Sequence, residues 1–443
     1  MIDFPTGIDK DVFRKCYGQE DSIYNHVTLY IPRGSKANYQ SAAGWKNFKH
    51  IVEIGDEEIF KGMVFTEKTV EGVELTYAVT DATQKECELV ASPVDVKGKV
   101  TIPASANGLT VRSIGEKVFY SYKNDRALTE VVIPNTIKTF GPFAFYYCED
   151  MIATIPSSVT SIGDYAFYNC KKITAEDLSN VTTFGSYALD NCEKIENIKL
   201  GSSVKIIGEW AFFGTGITNI TIPKTVESIG KDVLGRCEKL QSIKVEDGNP
   251  HYDSRNNCNA IFVNATNTLL AGCMNTIIPE ETDTIGYSAF YYHSQLKEIK
   301  LPDNLKTIAD WAFMGTGLSS ITIPESVDSI GTSAFRICAN LTTVKVLRKE
   351  PLKIKESVFF KDTDTVYTFD QATLYVPMGT KVKYQEADVW KNFKNIVEFD
   401  PSGIDAITID EDGQQTIYSI SGVRLKSPQK GLNIINGKKV LVK

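Results

Sequence analysis

The chain has 443 residues, which is enough for two or three ordinary domains or for one elongated repeat array. Its hydrophobic fraction of 42% is ordinary for a folded soluble protein. A formal charge of -7 with no long basic run lacks the electrostatic footprint of a nucleic-acid binder. We therefore expect no nucleic-acid partner.

The sequence shows neither a membrane span nor an export leader. No apolar stretch approaches the roughly 18–20 residues that a transmembrane helix needs, so no membrane-spanning segment is predicted. The start, MIDFPTGIDKDVF, has neither a basic n-region nor an apolar h-region. Either the protein is cytosolic or a leader has been removed.

Residues 1–54 contain the first copy of a duplicated segment. Residues 28–53 match residues 373–398 at 17 of 26 positions without a gap. A repeat array needs an end that differs from its interior units, because the last coil would otherwise expose its core and strand edge. We predict that Trp45 with Phe48, and Trp390 with Phe393, are apolar plugs on a short closing helix. Residues 1–54 are then the remnant end of a preceding array.

Residues 55–110 are predicted to form the N-terminal β cap of the main array. Apolar and polar residues alternate over 74–79, as in a half-buried strand.

Residues 111–399 repeat a phrase of the form I-G-x-x-A-F-x-x-C-x-x-L-x-x-I-x-I-P, with a degenerate copy near Lys355. Apart from one gap, successive copies are 22 to 26 residues apart, within the range of leucine-rich repeats. Alternating segments such as 240–245 predict one main strand per unit, which a following proline ends. The Ala-Phe pair is predicted to face the interior. The repeat-glycine position falls at Gly115, Gly141, Gly163, Gly185, Gly208, Gly230, Gly286, Ala309 and Gly331.

Two parts of the array are irregular. Residues 246–279 fill the gap between repeats and are predicted to form one enlarged coil. Residues 372–399, the second copy of the duplicated segment, are predicted to close the array.

Five cysteines lie seven residues after a repeat glycine, and the same position holds Thr215, His293 and Thr316 in other units. A position that accepts Cys, Thr or His indicates packing, so we predict a buried ladder of free thiols. Equivalent positions in adjacent coils lie about 4.8 Å apart, so an occasional disulfide is geometrically possible. The cysteines are Cys148, Cys170, Cys192, Cys237 and Cys338.

These units lack the asparagine of the common leucine-rich repeat and have a proline after the strand. In this they resemble the BspA-type or Treponema-type repeat of bacterial surface proteins over about residues 59–399. The resemblance implies a solenoid that is mainly β, with short helices or turns on its convex side. It also implies a non-enzymatic surface or secreted protein that adheres to extracellular macromolecules.

Residues 404–443 are predicted to form a small all-β C-terminal module, with two or three strands and turns at Ser421-Gly422 and Asn436-Gly437. The segment resembles the C-terminal sorting domains of secreted Bacteroidetes proteins, which implies export to the cell surface or the extracellular space. A β module that is merely solvated remains the alternative.

No motif indicates catalysis or a cofactor. None of the four histidines has a neighbour at a recognisable metal-ligand spacing, and no P-loop, G-x-S-x-G or H-E-x-x-H occurs. We expect no metal, no cofactor and no enzymatic activity.

A binding surface is predicted where outward strand residues line one continuous, concave face. The partner expected is an extracellular protein or glycan, and the protein is expected to be a monomer. Alternatively, these are the ordinary polar residues of an exposed sheet, or the array is a structural spacer, or it targets an enzymatic domain upstream. A rival surface is formed if Tyr146-Tyr147, Phe212-Phe213 and Tyr291-Tyr292 are exposed on the opposite face. The predicted ligand-binding residues are Asn197, Lys199, Asn219, Thr221, Ser242, Lys244, Glu298, Lys300, Ser320, Thr322, Thr343 and Lys345.

Overall fold

The computed structural model describes residues 28–32, 35–54, 59–122, 127–175, 177–360 and 368–399, together with four short strands between 417 and 442. The chain divides into two compact units, residues 1–65 with 78–87 and residues 66–77 with 88–443. The predicted turns at 421–422 and 436–437 lie outside the described residues.

The first unit contains the first duplicated segment. Strands β1 (Thr28–Pro32) and β2 (His50–Ile54) pair in parallel and are joined by helix α1 (Lys36–Ser41) and a 3-10 helix (Trp45–Asn47). Ile31, Phe48 and Ile51 form its buried core, against which Trp45 packs.

Short strands precede the repeat array, and the array lies in the second unit. The strands that lead into the array are β3 (Val64–Lys68), β4 (Glu74–Asp81), β5 (Glu86–Ala91), β6 (Gly98–Thr101), β7 (Ser105–Ala106), β8 (Leu109–Ile114) and β9 (Leu128–Val132). The first set of repeats contains β10 (Thr139–Phe140), β11 (Thr154–Ile155), β12 (Ser161–Ile162), β13 (Thr174–Ala175), β14 (Thr183–Phe184), β15 (Ile206–Ile207), β16 (Asn219–Ile222), β17 (Ser228–Ile229) and β18 (Ser242–Val245).

The rest of the array contains the enlarged coil and the closing segment. Its strands are β19 (Tyr252–Asp253), β20 (Ala260–Val263), β21 (Thr268–Gly272), β22 (Thr284–Ile285), β23 (Thr307–Ile308), β24 (Ser320–Ile323), β25 (Ser329–Ile330), β26 (Thr343–Val346), β27 (Thr373–Pro377) and β28 (Asn395–Phe399). Its helices are α2 (Thr368–Gln371), α3 (Lys381–Glu386) and the 3-10 helices Arg255–Asn257, Glu356–Phe359 and Trp390–Asn392.

Each regular repeat has a two-residue strand directly before the repeat glycine. These strands pair in parallel, in the order β17-β15-β14-β12-β10-β8, and β22, β23 and β25 resume the pattern after the enlarged coil. The sequence analysis missed this strand, because a run of two residues is too short to show alternation. The repeat glycines are needed here, since a Cβ at Gly208 would lie 2.5 Å from backbone atoms of Gly185 and Ser186.

The predicted main strand is present only in part. It forms the parallel pairs β6–β9, β11–β13 and β16–β18 and the sheet β24-β26-β27-β28. Residues 195–200 and 295–300 contain no strand, so the expectation of one main strand in every unit is wrong there. The predicted interior residues are buried, and the repeat phenylalanines stack between coils: the ring centroids of Phe313 and Phe335 are 5.4 Å apart.

The stacking of one coil on the next also explains why the cysteine position accepts cysteine or threonine. The thiol of Cys170 donates a hydrogen bond to the Phe145 carbonyl oxygen at 3.0 Å, and Cys338 does the same to Phe313 at 3.2 Å. Thr316 takes the same position and donates to the Phe313 carbonyl at 2.8 Å. All eight described cysteines are buried and free, including the five at this position for which packing was predicted, and burial raises the pKa of the Cys170 thiol.

The enlarged coil replaces regular strands with a small antiparallel sheet, β19-β20-β21, which then pairs in parallel with β22. Asn249 anchors its start, because its side-chain amide donates to the carbonyls of Pro223 and Val226. The Tyr252 hydroxyl accepts the Ile229 N–H at 2.9 Å, where the ladder of two-residue strands is interrupted.

The closing segment packs on the last coil. Tyr384 and Trp390 are buried and donate hydrogen bonds to the carbonyls of Arg348 and Leu352, each at 2.7 Å. The described residues of the C-terminal module form four antiparallel strands rather than two or three. They are β29 (Ile417–Ser419), β30 (Arg424–Leu425), β31 (Gly431–Ile435) and β32 (Lys438–Val442), and they pair in the order β30-β29-β31-β32.

Candidate binding surfaces

We call the twelve predicted ligand-binding residues the polar strip. Its central members lie side by side on neighbouring strands. Asn219 is paired with Ser242, and Thr221 with Lys244, across β16 and β18, and all four are exposed. The structure brings these four residues together.

A second group lies on β24 and β26, where Ser320 is paired with Thr343 and Thr322 with Lys345. The remaining members, Asn197, Lys199, Glu298 and Lys300, are exposed but lie outside the strands. The enlarged coil enters between the two groups, and the Ser242 hydroxyl contacts the Asn259 side chain at 3.4 Å. The twelve residues therefore form two groups and not one unbroken stripe.

Three of the four lysines of the polar strip have intramolecular contacts. Lys199 forms an ion pair with Asp177 at 3.3 Å, and Lys300 forms one with Glu280 at 3.1 Å. The Lys345 ammonium lies 3.9 Å from the centroid of the Phe399 ring. Exposed ion pairs contribute little stability, so they leave these lysines available to a ligand at small cost.

The sequence analysis found no aromatic residue in the polar strip, but the structure adds two at its C-terminal end. Tyr375 on β27 is the register partner of Lys345, and Phe399 at the end of β28 lies under the Lys345 ammonium. Both rings are partly exposed. Aromatic side chains next to a cation are frequent anchors of protein interfaces. The signal for them was present in the closing segment, which was interpreted only as a cap.

The aromatic pairs of the rival surface are exposed only in part. Phe212 is fully buried and Phe213 is nearly so, whereas Tyr146, Tyr147, Tyr291 and Tyr292 are half-buried. Tyr146, Phe213 and Tyr291 belong to a larger set that we call the aromatic ladder. Its members are Tyr120, Phe143, Tyr146, Tyr165, Tyr168, Tyr187, Trp210, Phe213, Tyr287, Tyr291 and Trp311.

The rings of the aromatic ladder form columns along the array. In one column, Phe143, Tyr165, Tyr187 and Trp210 stack at centroid distances of 4.9, 4.5 and 5.5 Å. In the other, Tyr120, Tyr146 and Tyr168 stack at 5.1 and 4.9 Å. The contacts continue from Trp210 to Tyr291 at 5.9 Å and from Tyr291 to Trp311 at 6.0 Å.

The first column depends on an unusual backbone. The residue two positions after a repeat glycine, or after its alanine equivalent, has a positive φ in these coils. The value lies between 55° and 61° at Phe143, Tyr165, Tyr187, Trp210 and Trp311. Left-handed backbone is unfavourable for bulky residues. Here it recurs at the same repeat position in successive coils, at Lys117 and Asp232 as well as at the aromatic residues, so the coil imposes it and equivalent rings lie over one another. Sequence spacing gave no sign of this conformation.

Two buried carboxyl groups interrupt the columns. Asp190 and Asp232 occupy positions at which neighbouring repeats have aromatic residues, and both are almost fully buried. Burial raises the pKa of each to about 8. Gly235 completes the interruption, since a Cβ there would lie 2.9 Å from the Phe213 ring. Both carboxyls are mostly protonated at neutral pH, so the inside of the ladder carries little charge.

The titratable groups provide no evidence for a metal site. The described residues contain no group of three or more His, Cys, Asp or Glu side chains that could hold a metal ion. His293 occupies the cysteine position, is buried, and has its pKa lowered by burial to about 4. It is therefore neutral at physiological pH. In the described part of the chain no helix is both long and apolar enough to cross a membrane.

The coils stacked in parallel, their buried Ala-Phe pairs and their exposed strand residues define a leucine-rich-repeat solenoid. The BspA type leucine rich repeat region matches in six copies, over residues 112–241, 178–260 and 270–374. These matches cover more than half of the chain, so the protein belongs to the BspA-type leucine-rich repeat family. No curated protein matches the sequence.

Solved structures similar to this chain come from several bacteria. The pneumococcal vaccine antigen PcpA is 17% identical over 77% of this chain and 100% of its own, with a TM-score of 0.51. A leucine rich cell surface protein from Faecalibacterium prausnitzii A2-165 is 21% identical over 76% of this chain and 94% of its own, with a TM-score of 0.47. At such identities the likeness to PcpA shows a shared fold and nothing more.

Proposed function

We propose that this chain is a non-enzymatic protein of the cell surface or the extracellular space that binds a protein or a glycan through the polar strip. The observation that carries the proposal is the partly exposed group around Lys345, where Thr322, Thr343 and Tyr375 lie on adjacent strands of one sheet. A flat row of hydroxyl, ammonium and phenol groups can hydrogen-bond to a large ligand without a deep pocket.

The localisation is part of the proposal. Support comes from the family and from the resemblance of residues 404–443 to a sorting domain, which the four antiparallel strands of the C-terminal module fit. The domain boundaries predicted from the sequence, at 54, 110 and 399, remain predictions.

The test exchanges charge on the polar strip. The strip variant combines four substitutions, Lys199→Glu, Lys244→Glu, Lys300→Glu and Lys345→Glu. The control variant combines Lys138→Glu, Lys172→Glu, Lys205→Glu and Lys306→Glu. The control has the same charge change on exposed lysines away from the strip, and two of its lysines, Lys172 and Lys205, also form surface ion pairs.

Purified protein is screened against fibronectin, fibrinogen and a glycan array. We expect saturable binding that the strip variant loses and the control retains, while circular dichroism shows both variants folded. Binding that survives in the strip variant contradicts the location. The second candidate function is a structural spacer of the cell envelope, and absence of any ligand in this screen would support it.

A further inference from the structure

The sequence Gly-Thr-Gly occurs twice in the array, with its glycines six and eight residues after the repeat glycine or its alanine equivalent. The other units have larger side chains at both positions. In the second copy, a Cβ at Gly315 would lie 2.9 Å from the Tyr292 ring, and one at Gly317 would lie 2.7 Å from the Lys297 ammonium. That ammonium donates to the Ser294 carbonyl oxygen at 2.8 Å. Neighbouring side chains therefore fill the space at the second copy.

The first copy is the floor of a cleft of about 350 Å³, which we call the Gly-Thr-Gly cleft. Its floor, residues 214–216, is buried, and the coils before and after the floor provide its two walls. Because adjacent coils are about 4.8 Å apart, the walls are about 10 Å apart. This volume is within the range of small-molecule sites. The wall residues are Asn191, Glu193 and Lys194 on one side and Arg236, Glu238 and Lys239 on the other.

Two side-chain contacts cross the cleft from wall to wall. The Arg236 guanidinium donates to the Asn191 side-chain oxygen at 3.5 Å, and the Lys239 ammonium pairs with Glu196 at 3.1 Å. Arg236, Lys239 and Glu196 are all exposed. Long or exposed contacts of this kind contribute little stability, so a ligand can displace them at small cost.

Four charged groups of the cleft walls form no ion pair among the described residues. One wall contributes Glu193 and Lys194, and the other contributes Arg236 and Glu238. Each wall thus has one cation and one carboxylate. A ligand with a single charge would meet a like charge at both walls, whereas a ligand with an ammonium and a carboxylate group can pair with opposite charges. The walls therefore favour a zwitterion.

We propose that the Gly-Thr-Gly cleft binds a short free peptide of about two residues through its α-ammonium and α-carboxylate groups. Two extended residues span about 7 Å, which suits walls that project side chains across about 10 Å. Lys297 at the second copy indicates the place of the ammonium, beside the wall carbonyl and over the second glycine. At the first copy these are the Glu193 carbonyl and Gly216. The planar guanidinium of Arg236, on the opposite wall, can hold the carboxylate with two N–H groups.

The glycines of the floor are needed for this site. A Cβ at Gly216 would collide with the Glu193 carbonyl oxygen, and one at Gly214 would lie 2.5 Å from the side-chain oxygen of Asn191. Any larger residue would also take up the space above the floor. The cleft shares no residue with the polar strip, so this site is independent of the proposed function.

The test measures binding of L-alanyl-L-alanine by saturation-transfer difference NMR. Two analogues each lack one charge: N-acetyl-L-alanyl-L-alanine has no ammonium, and L-alanyl-L-alanine amide has no carboxylate. The cleft variant combines Glu193→Gln and Arg236→Gln. The control variant combines Glu386→Gln and Lys224→Gln, which removes the same two charges from exposed residues away from the cleft. Circular dichroism checks that both variants are folded.

We expect the free dipeptide to bind saturably, and each blocked analogue to bind about tenfold more weakly because it loses one charge-assisted bond. The cleft variant should also bind the dipeptide about tenfold more weakly, and the control variant should bind it as the wild type does. The single variants assign the roles. Glu193→Gln should no longer distinguish the dipeptide from its N-acetyl analogue, and Arg236→Gln should no longer distinguish it from the amide.

Equal binding of the three peptides would overturn the proposal, because the two charges would then play no part. Wild-type affinity in the cleft variant, or the absence of saturable dipeptide binding, would overturn it as well. Binding of glucose that depends on Glu193, in place of dipeptide binding, would replace the zwitterion by a neutral sugar. The four-lysine variant of the polar strip should bind the dipeptide as the wild type does, so the two proposals can fail independently.

Discussion

The two copies of the duplicated segment provide an internal comparison, because nearly the same sequence occurs in two surroundings. Both fold as a parallel strand pair joined by a six-residue helix and a 3-10 helix at the Trp-Lys-Asn sequence. In the closing copy Trp390 is 1% exposed, whereas Trp45 in the first copy is half-buried. The local fold is therefore a property of the segment, and the depth of burial is a property of its neighbours.

The closing copy owes its burial to the last coil of the array. Strand β27 pairs with β26, and Trp390 and Tyr384 donate to carbonyl oxygens of residues more than thirty positions earlier. A cap functions when its apolar plug and its polar groups both meet the coil that it covers. Each of the following variants separates contacts with the array from contacts inside the cap.

The largest difference is expected for the plug. Trp390→Ala should lower the local free energy of opening of β27 and β28 by about 3–5 kcal/mol, because it removes a buried side chain and a hydrogen bond. Trp45→Ala should lower the free energy of opening of β1 and β2 by a smaller amount, since Trp45 is only half-buried. Hydrogen exchange measured by mass spectrometry reports each strand pair separately. Equal losses would show that burial does not distinguish the copies.

The next difference concerns one hydroxyl group. Tyr384→Phe should cost about 1–1.5 kcal/mol, because it leaves the Arg348 carbonyl without this donor while keeping the ring. No hydrogen bond to the Tyr39 side chain occurs within the described part of the chain, so Tyr39→Phe should change little. Urea unfolding followed by tryptophan fluorescence and hydrogen exchange checks both. A larger effect at Tyr39 would contradict this assignment.

Backbone strain predicts that exchanging valine and glycine at one equivalent position changes the stability of the two copies in opposite directions. Val389 has φ 69° and ψ -50°, and Gly44 has φ 80° and ψ -47° at the equivalent position. Such a conformation suits glycine and strains a β-branched residue. Val389→Gly should stabilise the closing copy by about 1 kcal/mol, and Gly44→Val should destabilise the first copy by a similar amount. Two changes of the same sign would exclude strain as the cause.

The smallest difference is expected for a bond that lies inside the cap. Glu398 accepts N–H groups of Gly379 and Lys381 at 3.0 and 2.9 Å, and Glu53 accepts that of Lys36 at 2.7 Å. Glu398→Ala and Glu53→Ala should each cost about 1 kcal/mol. Glutamine at either position keeps an acceptor and serves as the control. A cost at Glu398 of more than about twice that at Glu53 would mean that the array contributes, because Glu398 accepts two of these N–H groups and Glu53 accepts one.

Much of the fold followed from the repeat phrase. The spacing of the repeat glycines, the buried Ala-Phe pair and the buried cysteine position could be read directly, because stacked coils impose the same environment on the same position in every unit. The binding surface was harder to predict from the sequence. The sequence analysis did not detect the interruption of the polar strip by the enlarged coil, because pairing across inserted residues has no periodicity.

The sequence by itself determined the repeat, its interior residues and the duplicated cap, since these depend on apolar pattern, on the lack of space for a Cβ at the glycines, and on local bonds. The tertiary structure alone decided which aromatic residues form the ladder and how deeply each cap is buried. Ring stacking needs a left-handed turn at Tyr165 and Tyr187 and the exact superposition of two coils. Burial of Trp390 needs a carbonyl from a distant coil. Both are relations between residues far apart in sequence, which adjacent residues do not encode.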